Sequence, residues 1–172
     1  MNKLKSAKTI LGNEICLLGN ANHREILIIG VFHGDEPQGK YLIEEYIKLY
    51  PHSHLLFIPC LNPDGLQLNQ RTNSNGVDLN RNFPTKNWIL GEKDQFFGGY
   101  KPASEAETQF LIDTINEFQP NIILTLHAPY KVVNYDGPAK ELAEKISKII
   151  NYPVEENIGY PTPGRFGTYA GI

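Results

Sequence analysis

Cysteine is scarce in this 172-residue chain: Cys16 and Cys60 are the only two. Each falls inside an apolar run, where a buried free thiol is the expectation. A disulfide framework is therefore not indicated, and a reducing compartment is implied. Positive charge in excess is also lacking. With a formal net charge of -3 the chain carries no basic field to draw a polyanion, which argues against nucleic acid as a partner. No segment approaches the roughly 20 apolar residues that span a bilayer. Near the start, Lys3, Lys5 and Lys8 precede a stretch that Asn13 and Glu14 interrupt, so no secretory signal is readable. Internal repeats, charged tails and domain linkers are missing too. The expectation is one soluble, cytoplasmic domain with no membrane or nucleic-acid partner.

What is present suits a packed α/β domain. Residues 25–32 (EILIIGVF), 54–61 (HLLFIPCL) and 121–126 (NIILTL) are short, nearly continuous apolar runs, the pattern of strands buried on both faces. Between the first two, Pro37 suits a first helical turn, and Leu42, Ile43, Tyr46, Ile47 and Leu49 supply an apolar side. Ser104 and Glu107 stand in capping-box spacing at the head of residues 104–118, which predicts a helix there with Glu107 in a structural role. Residues 138–150 repeat the helical period. Strands alternating with helices predict a three-layer α/β domain, with a mixed, mostly parallel sheet and helices on both faces. Residues 62–103 do not fit this scheme. They are rich in Asn, Gly and Pro and lack periodicity, and loops this long are ordinarily functional or disordered.

Two of the strands end at suggestive places. His33 and Glu36 follow the first apolar run, and His127 follows the run 121–126. Ligands of open α/β sheets bind beyond the carboxyl ends of the strands, so these three residues can converge from distant parts of the chain. Two histidines and a glutamate form a known ligand set for catalytic zinc, which leaves a fourth position open. A His-x-x-Glu pair also arises by chance, and residue chemistry leaves Asp35 and Glu36 as equal candidates. The remaining histidines, His23, His52 and His54, read as solvated turn residues.

Four motifs in one order carry a resemblance: HGDE at 33–36, NPDG at 62–65 followed by Arg71, GVDLNRNF at 76–83, and LHAP containing His127. In that order the chain resembles the zinc metallocarboxypeptidase family. Residues 102–108 (PASEAET) and 162–171 (TPGRFGTYAG) look most like its murein peptide amidases, which cleave the γ-D-glutamyl to diaminopimelate bond. The resemblance implies that His33, Glu36 and His127 hold Zn(2+), which settles the tie in favour of Glu36. It also implies that Arg71 stabilises the oxyanion and that Asn80 and Arg81 bind the free carboxylate of a small peptide substrate. Asp78 would accept a hydrogen bond from His33. Each role is physically sound, because arginine's planar fork matches a carboxylate, and a carboxylate behind a metal-bound imidazole fixes its tautomer. An arginine in a loop is otherwise a solvated cation, and an aspartate there an ordinary turn residue.

The family's general-base glutamate lies on a late strand beyond a segment like GTYAGI, and this chain stops at Ile172. The expectation is therefore a truncated peptidase domain lacking its last strand and helix. Tyr160 and Tyr169 lie where relatives place a substrate-covering tyrosine, although packing is the commoner fate of such aromatics. Two other readings stand beside the peptidase: a zinc acyl-amino-acid hydrolase of the aspartoacylase and succinylglutamate desuccinylase type, and a non-catalytic peptide or metal binder. NPDG, Arg71 and the full GVDLNRNF favour the peptidase.

Overall fold

The computed structural model describes residues 1–128, 130–156 and 158–171. Strands β1 (Asn2–Lys8), β2 (Glu14–Gly19), β3 (Ile26–Gly30), β4 (Leu56–Ile58) and β5 (Ile122–Leu126) form one sheet in the order β1-β2-β4-β3-β5. The central strands β4, β3 and β5 run parallel, while β2 pairs antiparallel with both β1 and β4. Helices α1 (Gln38–Leu49), α2 (Pro63–Leu68), α3 (Ala106–Phe118), α4 (Lys140–Ile150) and α5 (Phe166–Ala170) accompany the sheet, with a small parallel pair of β6 (Val133–Asn134) and β7 (Val154–Glu155).

The sheet is covered on both sides because its strands alternate between two apolar faces. Leu27 and Ile29 of β3, Leu56 and Ile58 of β4, and Ile15 and Leu17 of β2 are fully buried in one cluster with Phe110, Leu111 and Phe118 of α3. On the opposite face Tyr46 of α1 packs its ring 5.7 Å from that of Phe57. There α1 comes close to β3 at a pair of glycines: a Cβ on Gly39 would stand 3.1 Å from the Cα of Gly30. Burial of side chains of this size contributes about 1.5–3 kcal/mol each, so the α3 face dominates the stability of the sheet.

The predicted three-layer architecture is present, with four differences of detail. The β1–β2 hairpin had no counterpart in the sequence reading, because alternating lysines hide the inward residues of β1, whereas Ile15 and Leu17 of β2 do alternate into the core. The two cysteines are free as expected but only half-buried. Two of the histidines read as solvated, His23 and His54, stack on each other with ring centroids 3.8 Å apart.

The capping box between Ser104 and Glu107 is not formed. The residue preceding α3 is Glu105, and no side chain caps the helix. The Ser104 hydroxyl donates instead to Glu105 and accepts from Asn82, while Glu107 turns inward toward Asn73. Burial pushes the Glu107 carboxyl up to about 7, outweighing the hydrogen bonds from its own amide and Asn73, and the charges of Glu105 and Asp64 add to the rise. A carboxyl raised in the fold contributes stability below its ordinary value of 4.5, and that contribution is lost as pH rises through about 7. Glu107→Gln is therefore expected to exceed the wild type in urea stability at about pH 8 while losing that advantage near pH 5. Equal pH dependence in the two proteins would exclude the role.

Candidate metal centre and substrate site

The parallel pairing of β3 with β5 brings Gly30 opposite Leu126, so the segments leaving the two strands emerge side by side. The chain turns sharply at Val31, which is buried and has a φ of 53°. A left-handed conformation is strained for a β-branched residue, at about 1–3 kcal/mol. Its neighbours hold it there: Leu61 N–H donates to the Gly30 carbonyl (3.0 Å) and Asn62 N–H to that of Val31 (2.9 Å). The turn that follows closes with Glu36 N–H on the His33 carbonyl at 3.1 Å.

This geometry sets His33, Glu36 and His127 around one point. Each offers a ligand atom, and the three atoms lie within 4.8 Å of one another. His33 Nδ1 is 3.0 Å from Glu36 Oε1, and His127 Nδ1 is 3.0 Å from Glu36 Oε2, which also accepts from Ala128 N–H. His33 and Glu36 are buried and His127 faces solvent, so the centre is open on one side. Asp35 is exposed and lies outside this cluster.

Asp78, fully buried, stands behind His33 with Oδ1 3.2 Å from Nε2. A proton held on Nε2 by that carboxylate leaves the Nδ1 lone pair free for a cation. The same oxygen accepts from Asn80 N–H (2.9 Å), and Oδ2 accepts from Arg71 Nε (3.1 Å) and Nη2 (2.9 Å). Burial alone would raise the Asp78 carboxyl, but the His33 hydrogen bond and the charges of His33, Arg71 and Arg81 hold it down at about 2. Glu36 is held at about 2 in the same way, the bonds from His127 and His33 outweighing its burial. Burial lowers the His33 imidazole, yet its bonds to Asp78 and Glu36 raise it on balance. The donor set is thus two imidazoles and one ionised carboxylate on facing atoms, which fits a divalent metal.

The segment 75–83 separates its three asparagines by task. Asn75 donates to Glu105, and Asn82 ties the carbonyls of Gly98 and Lys101 to the start of α3. Asn80 lies against Asp78, to which its N–H donates. Its Oδ1 accepts from Phe166 N–H at 3.0 Å, an orientation fixed by the bonding network that leaves its amide NH2 as a donor. Arg81 is 5% exposed and donates from Nη1 to the Asn80 carbonyl at 2.7 Å.

Asn62 and Gly34 were quoted in the motifs without a task. The Asn62 side chain caps α2 through Gly65 N–H and donates to the carbonyls of Phe32 and Arg71, joining three segments of the site. Asparagine ahead of a proline at a helix start was the available signal. Tyr169 packs with its ring 5.5 Å from that of Phe83, while Tyr160 lines a cavity together with Arg81.

Fold and site together define a zinc carboxypeptidase: the chain matches the zinc carboxypeptidase family over residues 3–157 and belongs to it. Among curated proteins it is 35% identical over 165 residues to murein peptide amidase A of Escherichia coli K12, covering 87% of this chain and 67% of that protein. To the enzyme of the same name from Vibrio campbellii it is 32% identical over 164 residues, with coverage of 87% and 65%. The crystal structure of murein-tripeptide amidase MpaA from Escherichia coli O157 superposes with a TM-score of 0.81 at 34% identity, over 94% of this chain and 75% of that one. The chain therefore spans about two thirds of the length of the curated relatives it matches.

Proposed function

We propose that this chain carries the metal centre and carboxylate site of a zinc-dependent peptidase that releases the C-terminal residue of a short peptide. The murein tripeptide, cut between γ-D-glutamate and diaminopimelate, is the substrate that its similarity to murein peptide amidases favours. The observation that carries this reading is the convergence of His33, Glu36 and His127 beside Arg71, Asn80 and Arg81. Bound zinc would supply a Lewis acid and a water acidified towards a pKa of about 7. His33, Glu36 and His127 hold the ion in this reading, and Asp78 keeps the His33 proton on Nε2. Arg71 faces the scissile carbonyl, where a fixed cation stabilises charge that appears only in the transition state. The Asn80 amide and the Arg81 guanidinium bind the terminal carboxylate.

No helix among the described residues is long and apolar enough to cross a membrane. A cytoplasmic location belongs to the same reading and is supported by the free cysteines. The acyl-amino-acid hydrolase alternative is less favoured, because the NPDG segment, through Asn62, is built into the site together with Arg71.

Metal analysis after exhaustive dialysis tests the centre. One zinc per chain is expected in the wild type. His127→Ala should lose affinity by more than the roughly 10–100-fold that an outer hydrogen bond is worth. Full occupancy in that variant would remove His127 from the ligand set. Comparing hydrolysis of murein tripeptide with that of N-acyl amino acids tests the substrate class, and turnover of the latter alone would reassign it.

A further inference from the structure

Phe96 is a large aromatic residue left 41% exposed in a loop, whereas Phe97 beside it is buried. Its ring centroid lies 5.2 Å from Cζ of Arg71 and 5.9 Å from Cζ of Arg81. The loop that carries it is anchored on both sides. Phe96 N–H donates to Asp94 Oδ1 at 2.7 Å, and the buried Phe97 that follows accepts Asp78 N–H on its carbonyl at 2.8 Å. Asp78 is also the carboxylate that receives Arg71, so ring and guanidinium are positioned from the same residue. The Phe96 ring centroid is also 6.3 Å from that of Tyr160, and Phe96, Tyr160 and Arg81 line one cavity of about 300 Å³.

Two guanidinium groups near one ring repel each other and need something to hold them. Arg71 has Asp78, whereas among the described residues the Arg81 side chain donates to the Asn80 backbone carbonyl. An acidic residue in place of Phe96 would fix both arginines but would cancel the charge that an anionic ligand requires. An aromatic face attracts cations through its quadrupole and carries no net charge, so it orients them and leaves their field available.

We propose that Phe96 is a positioning residue that braces the Arg71 and Arg81 guanidinium groups from one ring, keeping Arg81 aimed at an anionic peptide end without neutralising it. This rests on the reading of Arg81 as the carboxylate-binding residue. The two ideas separate in one experiment. A short peptide with a free C-terminal carboxylate and the same peptide as its C-terminal amide are titrated into wild-type, Phe96→Leu and Phe96→Tyr protein. Leucine keeps apolar bulk but has no π face, so the preference for the carboxylate is expected to fall by about threefold to tenfold with the thermal midpoint unchanged. Tyrosine should retain the wild-type preference. If Phe96→Leu keeps the preference, or if Phe96→Leu and Phe96→Tyr lose it equally, the role of Phe96 is overturned while the carboxylate reading stands. If the wild type shows no preference, the carboxylate reading fails and the role of Phe96 fails with it.

Discussion

Asp78→Ala is expected to lower the stability of the metal-stripped protein by about 3–5 kcal/mol, a fall in Tm of about 10 °C for a chain of this size. Asp78 is fully buried and accepts from Arg71, His33 and the backbone of Asn80. Truncation removes four hydrogen bonds and leaves a guanidinium and an imidazole facing a hole. The penalty is that of stranded donors rather than of lost attraction, which is why it is large. A second readout follows from the same contacts. Without Asp78 the His33 Nε2 proton has no acceptor, so zinc affinity should fall by about 10–100-fold as well. Asp78→Asn keeps the shape but turns an amide NH2 toward one set of donors, and should lie between alanine and wild type. Thermal unfolding in a chelator followed by a zinc titration checks both effects, and an unaltered Tm in Asp78→Ala would refute the account.

Gly34→Ala should be as damaging for a steric reason. A Cβ at position 34 would overlap the carbonyl group of Gly65 and the amide of Leu66, which are backbone atoms of α2 and cannot rotate aside. The turn carrying His33 and Glu36 has to lift away from α2, breaking the bond from Gly34 N–H to the Arg71 carbonyl at 3.2 Å. Overpacking into flexible surroundings costs about 1–3 kcal/mol, and against fixed backbone the expected loss lies at or above the upper end. Displacing two of three candidate ligands from His127 should also weaken zinc binding by about 100-fold. Gly91→Ala is the control: nothing stands within 4 Å of its Cβ, and its effect should stay within about 0.5 kcal/mol. Equal stabilities for the two variants would show that the contact between the turn and α2 is not tight.

Strands β3 and β5 and helix α1 were legible because apolar runs and an apolar helical side announce themselves without reference to the rest of the fold. Segment 62–103 was not, and the reason is physical. Much of its burial is through polar side chains, among them Asn62, Asp64, Asn73, Asp78, Arg81 and Asn82, whose partners are distant in sequence or carried by the segment's own irregular backbone. Burial satisfied by hydrogen bonds leaves no hydrophobic period to read. The Ser104 and Glu107 pair failed as a capping box for a related reason, since Asn82 and Asn73 compete for the same side chains. Candidate ligands could be named because they follow strands, and the ordered motifs then chose between Asp35 and Glu36. Phe96 had no signal at all, because what distinguishes it is proximity to two arginines distant in sequence.

The separation of 91 positions between Glu36 and His127 has a consequence for the order of events in synthesis. A growing chain exposes His33 and Glu36 early, when they offer two ligands and nothing more. His127 joins them only when β5 has been made and has taken its place along β3. The proposed metal site therefore comes into being with the closing of the sheet, and uptake of the ion marks a chain that has already folded rather than guiding one that has not.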